Sequence, residues 1–232
     1  MATTTVTAGK QAEGDTGSQT SWTAAKDQTS AFYSQQFSVA TDDNASVWGY
    51  YNSGRGGGAY RLNRTFLFFD LSGVSGTITA MDLDLYVAWT GTAVVQVAES
   101  TAFGGDGTSD FVATDFDNWS QSSPTAYMAS SATLALGSNS LTLNSTAISD
   151  ANSNGYLNVV IVDNVHDYLD QEPLLNISRV SGIRFKNSSN PIQLDITYTP
   201  SYRNDVMGVI ASNIGEVTGV ATTNIEKIIG VS

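Results

Sequence analysis

The sequence predicts an all-β protein: a jelly-roll-like, two-sheet β-sandwich with an N-terminal arm and a short repeat tail. Three observations predict it. Met81, Leu83, Leu85 and Val87 alternate with Asp82, Asp84 and Tyr86, and Ile192, Leu194, Ile196 and Tyr198 alternate with Gln193, Asp195 and Thr197. That period of two is the signature of a strand with one buried face. Two denser apolar runs, Thr65–Phe69 and Leu157–Val162, suit central strands covered on both faces. Clusters rich in Gly, Asn and Ser separate the strand candidates at 53–58, 72–76, 104–107 and 152–155. Eight or more short strands with long connections fit two packed sheets, and 232 residues suffice for a substantial core.

The elements divide into three zones. Residues 1–30 are rich in Thr, Ala and Gly and poor in large apolar side chains. They read as an arm with one strand at Thr3–Thr7. Residues 31–200 form the sandwich, with further strands expected at Phe32–Val39, Val47–Tyr51, Val94–Ala98, Ser140–Leu143 and Ile183–Phe185. One helix is expected at Thr146–Ala151, begun by a Ser/Thr/Asn cap and closed near Gly155. Residues 201–232 carry a repeat of period 11 that aligns Gly208, Gly219 and Gly230, Asn213 with Asn224, and Ile214 with Ile225. Eleven residues make three helical turns, but a glycine in each copy disfavours a continuous helix. Short capped turns joined by extended Gly-Val links are expected instead. Each copy has an apolar stripe too small to bury alone, so it needs a neighbour. Val206, Val209, Ile214, Val217, Val220, Ile225, Ile228 and Val231 are the candidate assembly residues.

Composition narrows the function. The chain has 22 acidic and 10 basic residues, a formal net charge of −12, no cysteine and one histidine. Disulfides, thiolate metal sites and multi-histidine metal sites are excluded. The charge disfavours a nucleic-acid partner. No apolar run approaches the length of a membrane helix, and the start lacks the basic-then-apolar pattern of a signal peptide. Between Arg64 and Arg179 lie 114 residues with 13 acidic and no basic side chains. Structural calcium is the one ion this pattern suggests, at Thr41–Asn44 or Gly104–Asp110, although neither loop has the spaced ligands and distal Glu of a calcium loop. No cofactor is predicted.

Catalytic patterns are sparse, and no enzyme is predicted. His166 follows a dense strand and precedes Asp167, without a Gly-x-Ser-x-Gly elbow. The two read as a structural pair that orients a loop. Nothing in the spacing pairs carboxylates for glycoside cleavage. Trp48, Tyr50, Tyr51 and Trp119 lie beside polar loops and are the candidate stacking surface for a sugar, since their rings have apolar faces and polar edges. Core or interface filling is the other reading of the same aromatics.

Arg64-Thr-Phe-Leu-Phe-Phe-Asp70, then Ile78-Thr-Ala-Met-Asp-Leu-Asp-Leu-Tyr86, resembles the paired central strands of the DNRLRE-type β-sandwich. That family looks like a carbohydrate-binding-module jelly roll. Pro191–Thr199 is similar to its last strand. More narrowly, the chain resembles a group of tailed-phage and phage-like virion proteins. It shares with them Ser21-Trp22-x-x-Ala25, a strand followed by His166-Asp167 and then Pro173, and terminal Ile/Val-x-Gly-Val units. The resemblance implies a structural virion protein, made in the host cytoplasm and exposed on the particle surface as capsid decoration or fibre. The expected partners are further copies of the chain, as a homotrimer, and other virion proteins. A carbohydrate-binding adhesin that holds a host-surface glycan is the alternative. Neither nucleic acid nor membrane insertion is expected.

Overall fold

The structure is a computed structural model that describes residues 1–37, 44–52, 58–90, 94–174, 183–186, 190–201, 216–217 and 220–221. It is a two-sheet antiparallel sandwich. One sheet contains β1 (Ala2–Thr7), β12 (Gln193–Pro200), β6 (Gly76–Thr90), β9 (Gly137–Thr142) and β11 (Ile183–Lys186). The other contains β3 (Tyr33–Phe37), β2 (Lys10–Asp15), β5 (Ala59–Asp70), β10 (Tyr156–Asp163), β7 (Val94–Glu99) and β8 (Ala132–Thr133). One strand, β4 (Asn44–Asn52), belongs to both: Asn44–Val47 pairs with β11, and Trp48–Asn52 pairs with β5. It forms a corner of the sandwich. No described helix is long and apolar enough to cross a membrane.

The alternating strands build the first sheet. Leu83 pairs with Leu194 on one side and Leu141 on the other, so three leucines line up against the core. Their neighbours Asp82, Asp84, Thr142 and Asp195 project to the opposite face. A register slip of one residue would send these carboxylates inward, so the pattern specifies the pairing. The dense strands build the second sheet. Leu67 and Phe69 of β5 and Leu157, Val159 and Ile161 of β10 fill the space between the sheets. Phe66, Phe68, Val160 and Val162 face the other way, into a second cluster with Phe103, Phe111 and Trp119. The segment from Ser100 to Ser120 therefore covers the back of this sheet, which is why its strands are apolar on both faces.

The expected helix is α2 (Ser145–Asn154). Asn144 caps it by accepting from the amides of Thr146 and Ala147 at 3.0 and 3.1 Å. Gly155 ends it in the left-handed region at φ 72°, a conformation that costs glycine least. Ala147 and Ala151 pack on the core.

The N-terminal zone is not an arm. All six residues of β1 pair with β12, continuing the first sheet, while β2 lies inside the second sheet, between β3 and β5. A short helix, α1 (Trp22–Lys26), then buries Trp22 and Ala25 against Tyr60 and Leu62 of β5. The sequence Lys-Gln-Ala-Glu-Gly-Asp hides β2 because the face it shares with Leu67 carries Gln11, Glu13 and Asp15. Its other face carries Lys10, Ala12 and Gly14, the last two being small residues under the aromatic rings.

In the tail, Val217 and Val220 are cross-strand partners in a hairpin of β13 (Glu216–Val217) and β14 (Val220–Ala221). Val217 and Val220 are thus both extended. Val206, Val209, Ile214, Ile225, Ile228 and Val231 lie outside the described residues.

Deleting residues 1–16 removes an interior strand and is expected to abolish the cooperative thermal transition. A truncated chain with an unchanged Tm would return this segment to the status of an arm. Asn144→Ala is expected to cost about 1–2 kcal/mol in chemical denaturation.

Candidate functional site

The best-defined polar constellation is built around Arg64, which lies in β5 between Leu62 and Phe66 and is fully buried. Such a charge needs a partner. That partner comes from Asn164–Tyr168, a single wide turn at the end of β10. Asp163 begins the turn by accepting from the amide of His166 at 2.7 Å. The turn delivers Asp167, whose carboxylate accepts from Arg64 Nε at 2.7 Å and Nη2 at 2.8 Å. Arg64 Nη1 donates to the carbonyl of Phe116 at 2.8 Å. The guanidinium also stacks 4.1 Å from the Phe116 ring centre and 5.0 Å from that of Trp119. Bidentate pairing and ring stacking offset the cost of removing both charges from water. Burial pushes the Asp163 carboxyl up, opposed by the His166 amide.

A second layer sits against this pair. Ser21 caps α1 by accepting from the amide of Ala24 at 3.1 Å. Trp22, 6% exposed, donates from Nε1 to Asp170 at 3.1 Å and packs with its ring 6.3 Å from that of His166 and 6.2 Å from that of Tyr60. The hydroxyl of Tyr60 donates to Glu172, which pushes the phenol up to about 12. His166 Nδ1 lies 2.7 Å from the carbonyl of Gln171, so the proton belongs on Nδ1. The strand β4 passes so close that a Cβ on Gly49 would lie 2.9 Å from the His166 Cβ. His166 and Asp167 therefore serve separate contacts: the imidazole holds the chain at Gln171, and the carboxylate holds Arg64. This geometry is not that of a histidine–aspartate catalytic relay.

The described candidate sugar-stacking aromatics differ in exposure. Trp119 is 2% exposed, covered by Arg64 and the cluster behind β5 and β10. It offers no face to solvent, and its place as a stacking residue is withdrawn. Trp48 is half-buried on β4, opposite Asn63. Tyr51 is half-buried, its ring 4.8 Å from that of Tyr60. Tyr50 pairs with Arg61 through its backbone, and its side chain lies outside the described residues.

Near Trp48, the polar face of β2 makes a second constellation. Arg61 Nη2 donates to both oxygens of Asp15 at 2.8 Å. Glu13 contacts Asn63 and Ser46, but its Oε2 is buried without a donor. Burial, the main cause, pushes the Glu13 carboxyl up to about 7. The Gly104–Asp110 loop is closed on itself. Asp106 accepts from the amide and hydroxyl of Thr108 at 3.1 and 2.6 Å, and Asp110 accepts from Lys10 at 3.3 Å. Among the described residues no three acidic or histidine side chains gather in a metal-holding group. Thr41, Asp42 and Asp43 lie outside the described residues.

Sequence reasoning named Asp167 but missed its tie to Arg64. The available signal was Arg64 directly before the apolar run Thr65–Phe69, where a buried guanidinium needs a buried carboxylate. No family model matches the chain, and no curated protein matches it.

Asp167→Ala leaves Arg64 buried and unpaired, and is expected to cost about 3–5 kcal/mol. The double variant Arg64→Met, Asp167→Leu should recover most of this in urea denaturation. A separate expectation concerns Glu13. The folded chain keeps a proton that the unfolded chain releases between about pH 4.5 and 7, so stability falls as pH rises through that window. Glu13→Gln should flatten that part of the pH–Tm profile; an unchanged slope would assign it to other groups.

Proposed function

We propose that the chain is a structural virion protein that displays its sandwich on a phage-like particle, as capsid decoration or as a head or tail fibre. One observation supports this reading most. Three of the motifs that carry the resemblance are far apart in sequence but adjacent in space. Ser21-Trp22 caps and fills α1, Arg64 opens the central strand motif, and His166-Asp167 supplies the turn that binds both. Pro173 is also buried, just beyond Glu172.

The role fits the chemistry of the cluster. Its polar atoms are spent on holding elements together. A cysteine-free sandwich locked by a buried ion pair keeps its shape without a redox-dependent bond. In this proposal the tail joins copies of the chain to one another, as a trimer, and to other virion proteins, using the apolar stripe of each 11-residue copy.

The test is deletion of residues 202–232, followed by mass measurement in solution and incorporation into particles. Loss of the oligomer and of incorporation, with an unchanged sandwich Tm, is the expected result. A deleted chain that remains the same oligomer and still enters particles would overturn the role of the tail.

A further inference from the structure

Asn154 and Gly155 are the one Asn-Gly step in the chain, and they lie where α2 gives way to β10. This step is chemically labile. The Gly155 nitrogen, once base has removed its proton, attacks the side-chain Cγ of Asn154. The new C–N bond closes a succinimide, and the carboxamide nitrogen leaves as ammonia. Water then opens the ring at either carbonyl, which gives aspartate or isoaspartate. Glycine favours closure because it has no Cβ to block the approach and turns more freely than any other residue. Asn154 is exposed, so water and hydroxide reach it. Its neighbours are committed elsewhere. Asn152 bonds the backbone of Ile78 through both ends of its carboxamide, at 2.8 and 2.9 Å, and Asn144 caps the other end of the helix.

The fold withholds the nucleophile. The Gly155 N–H donates to the carbonyl of Ala151 at 3.0 Å, and the Gly155 carbonyl accepts from the amide of Leu71 at 3.0 Å. The first bond retains the proton that must be lost. Both together hold Gly155 at φ 72°, with α2 on one side and the end of β5 on the other. The nitrogen can turn toward Cγ only when the last turn of the helix opens, and that opening is local rather than global. The products do not fit the closed arrangement. Either one places a carboxylate at the C-terminal end of α2, where the unpaired carbonyls already carry negative partial charge. Isoaspartate also adds a methylene to the main chain directly before Gly155, which shifts that residue out of register with Ala151 and Leu71.

We propose that Asn154 is a deamidation site, closed in the folded chain by the two backbone bonds of Gly155 and opened by fraying of α2. The proposal does not depend on the virion reading. The test follows Asn154 by peptide mass spectrometry in the full chain, kept in mildly alkaline buffer with and without guanidinium chloride. Conversion to the aspartyl and isoaspartyl forms is expected to be about tenfold or more faster in the denatured chain. Gly155→Ala should slow it about tenfold or more in guanidinium, where folding plays no part. In the folded chain, Asn152→Ala unties the helix end from Ile78, and should speed conversion and hydrogen exchange of the Gly155 amide together. Equal rates in the folded and denatured chains would overturn the proposal. So would faster conversion of Asn144 or Asn152 than of Asn154 in guanidinium, or a Gly155→Ala chain that converts at the wild-type rate. Exchange of the Gly155 amide that rises in Asn152→Ala without faster conversion would overturn it equally.

Discussion

The buried pair of Arg64 and Asp167 is the constraint on which the rest of the structure depends. Its two members sit 103 residues apart, on β5 and beyond β10. Neither is stable in the interior without the other, because each alone is an uncompensated charge. Satisfying the pair requires the wide turn after β10, the carbonyl of Phe116 and the rings of Phe116 and Trp119 at once. The short helix α1, the loop through Phe116 and the chain at Gln171 all pack around that arrangement. A charge pair of this kind contributes little net stability, because the cost of removing both charges from water offsets most of their attraction.

The second sheet is consequently the structural heart, and the first sheet the open one. β5 and β10 are covered on both sides, by the inter-sheet core and by the Ser100–Ser120 segment. The described outer face of the first sheet instead carries Thr5, Asp82, Asp84, Ser138, Ser140 and Asp195. This distribution gives physical meaning to the acidic stretch without basic residues. Some of its carboxylates, such as Asp163 and Asp167, are internal fasteners. Others, such as Asp82 and Asp84, form a polar exterior in which like charges stand on neighbouring strands. Burial, together with Asp195 and Asp82, pushes the Asp84 carboxyl up. Such crowding of oxygens is unfavourable for folding.

Much of this architecture was legible in the chain. Alternation identified β6 and β12, density identified β5 and β10, and the Asn144 and Gly155 caps bracketed α2. The reading failed where side chains face inward against their usual preference. β2 carries Gln11, Glu13 and Asp15 on its inner face, so neither apolar period nor density marked it as an interior strand. Trp119 was equally opaque. Its sequence neighbours are polar, and only the chain folding back over β5 places it beneath Arg64. The candidate site was half legible: His166-Asp167 stood out as a pair, but its function as two separate fasteners did not.

Local chemistry thus determined the strands, their inward faces and the caps, because those depend on residues a few positions apart. Which carboxylate neutralises Arg64, which aromatics stay exposed, and which strands share an outer row were decided by contacts across tens to hundreds of residues. A linear pattern states that a buried charge or an outward hydroxyl exists. Only the packed sheets determine what lies opposite it, because partnership depends on register and docking, which no single segment contains.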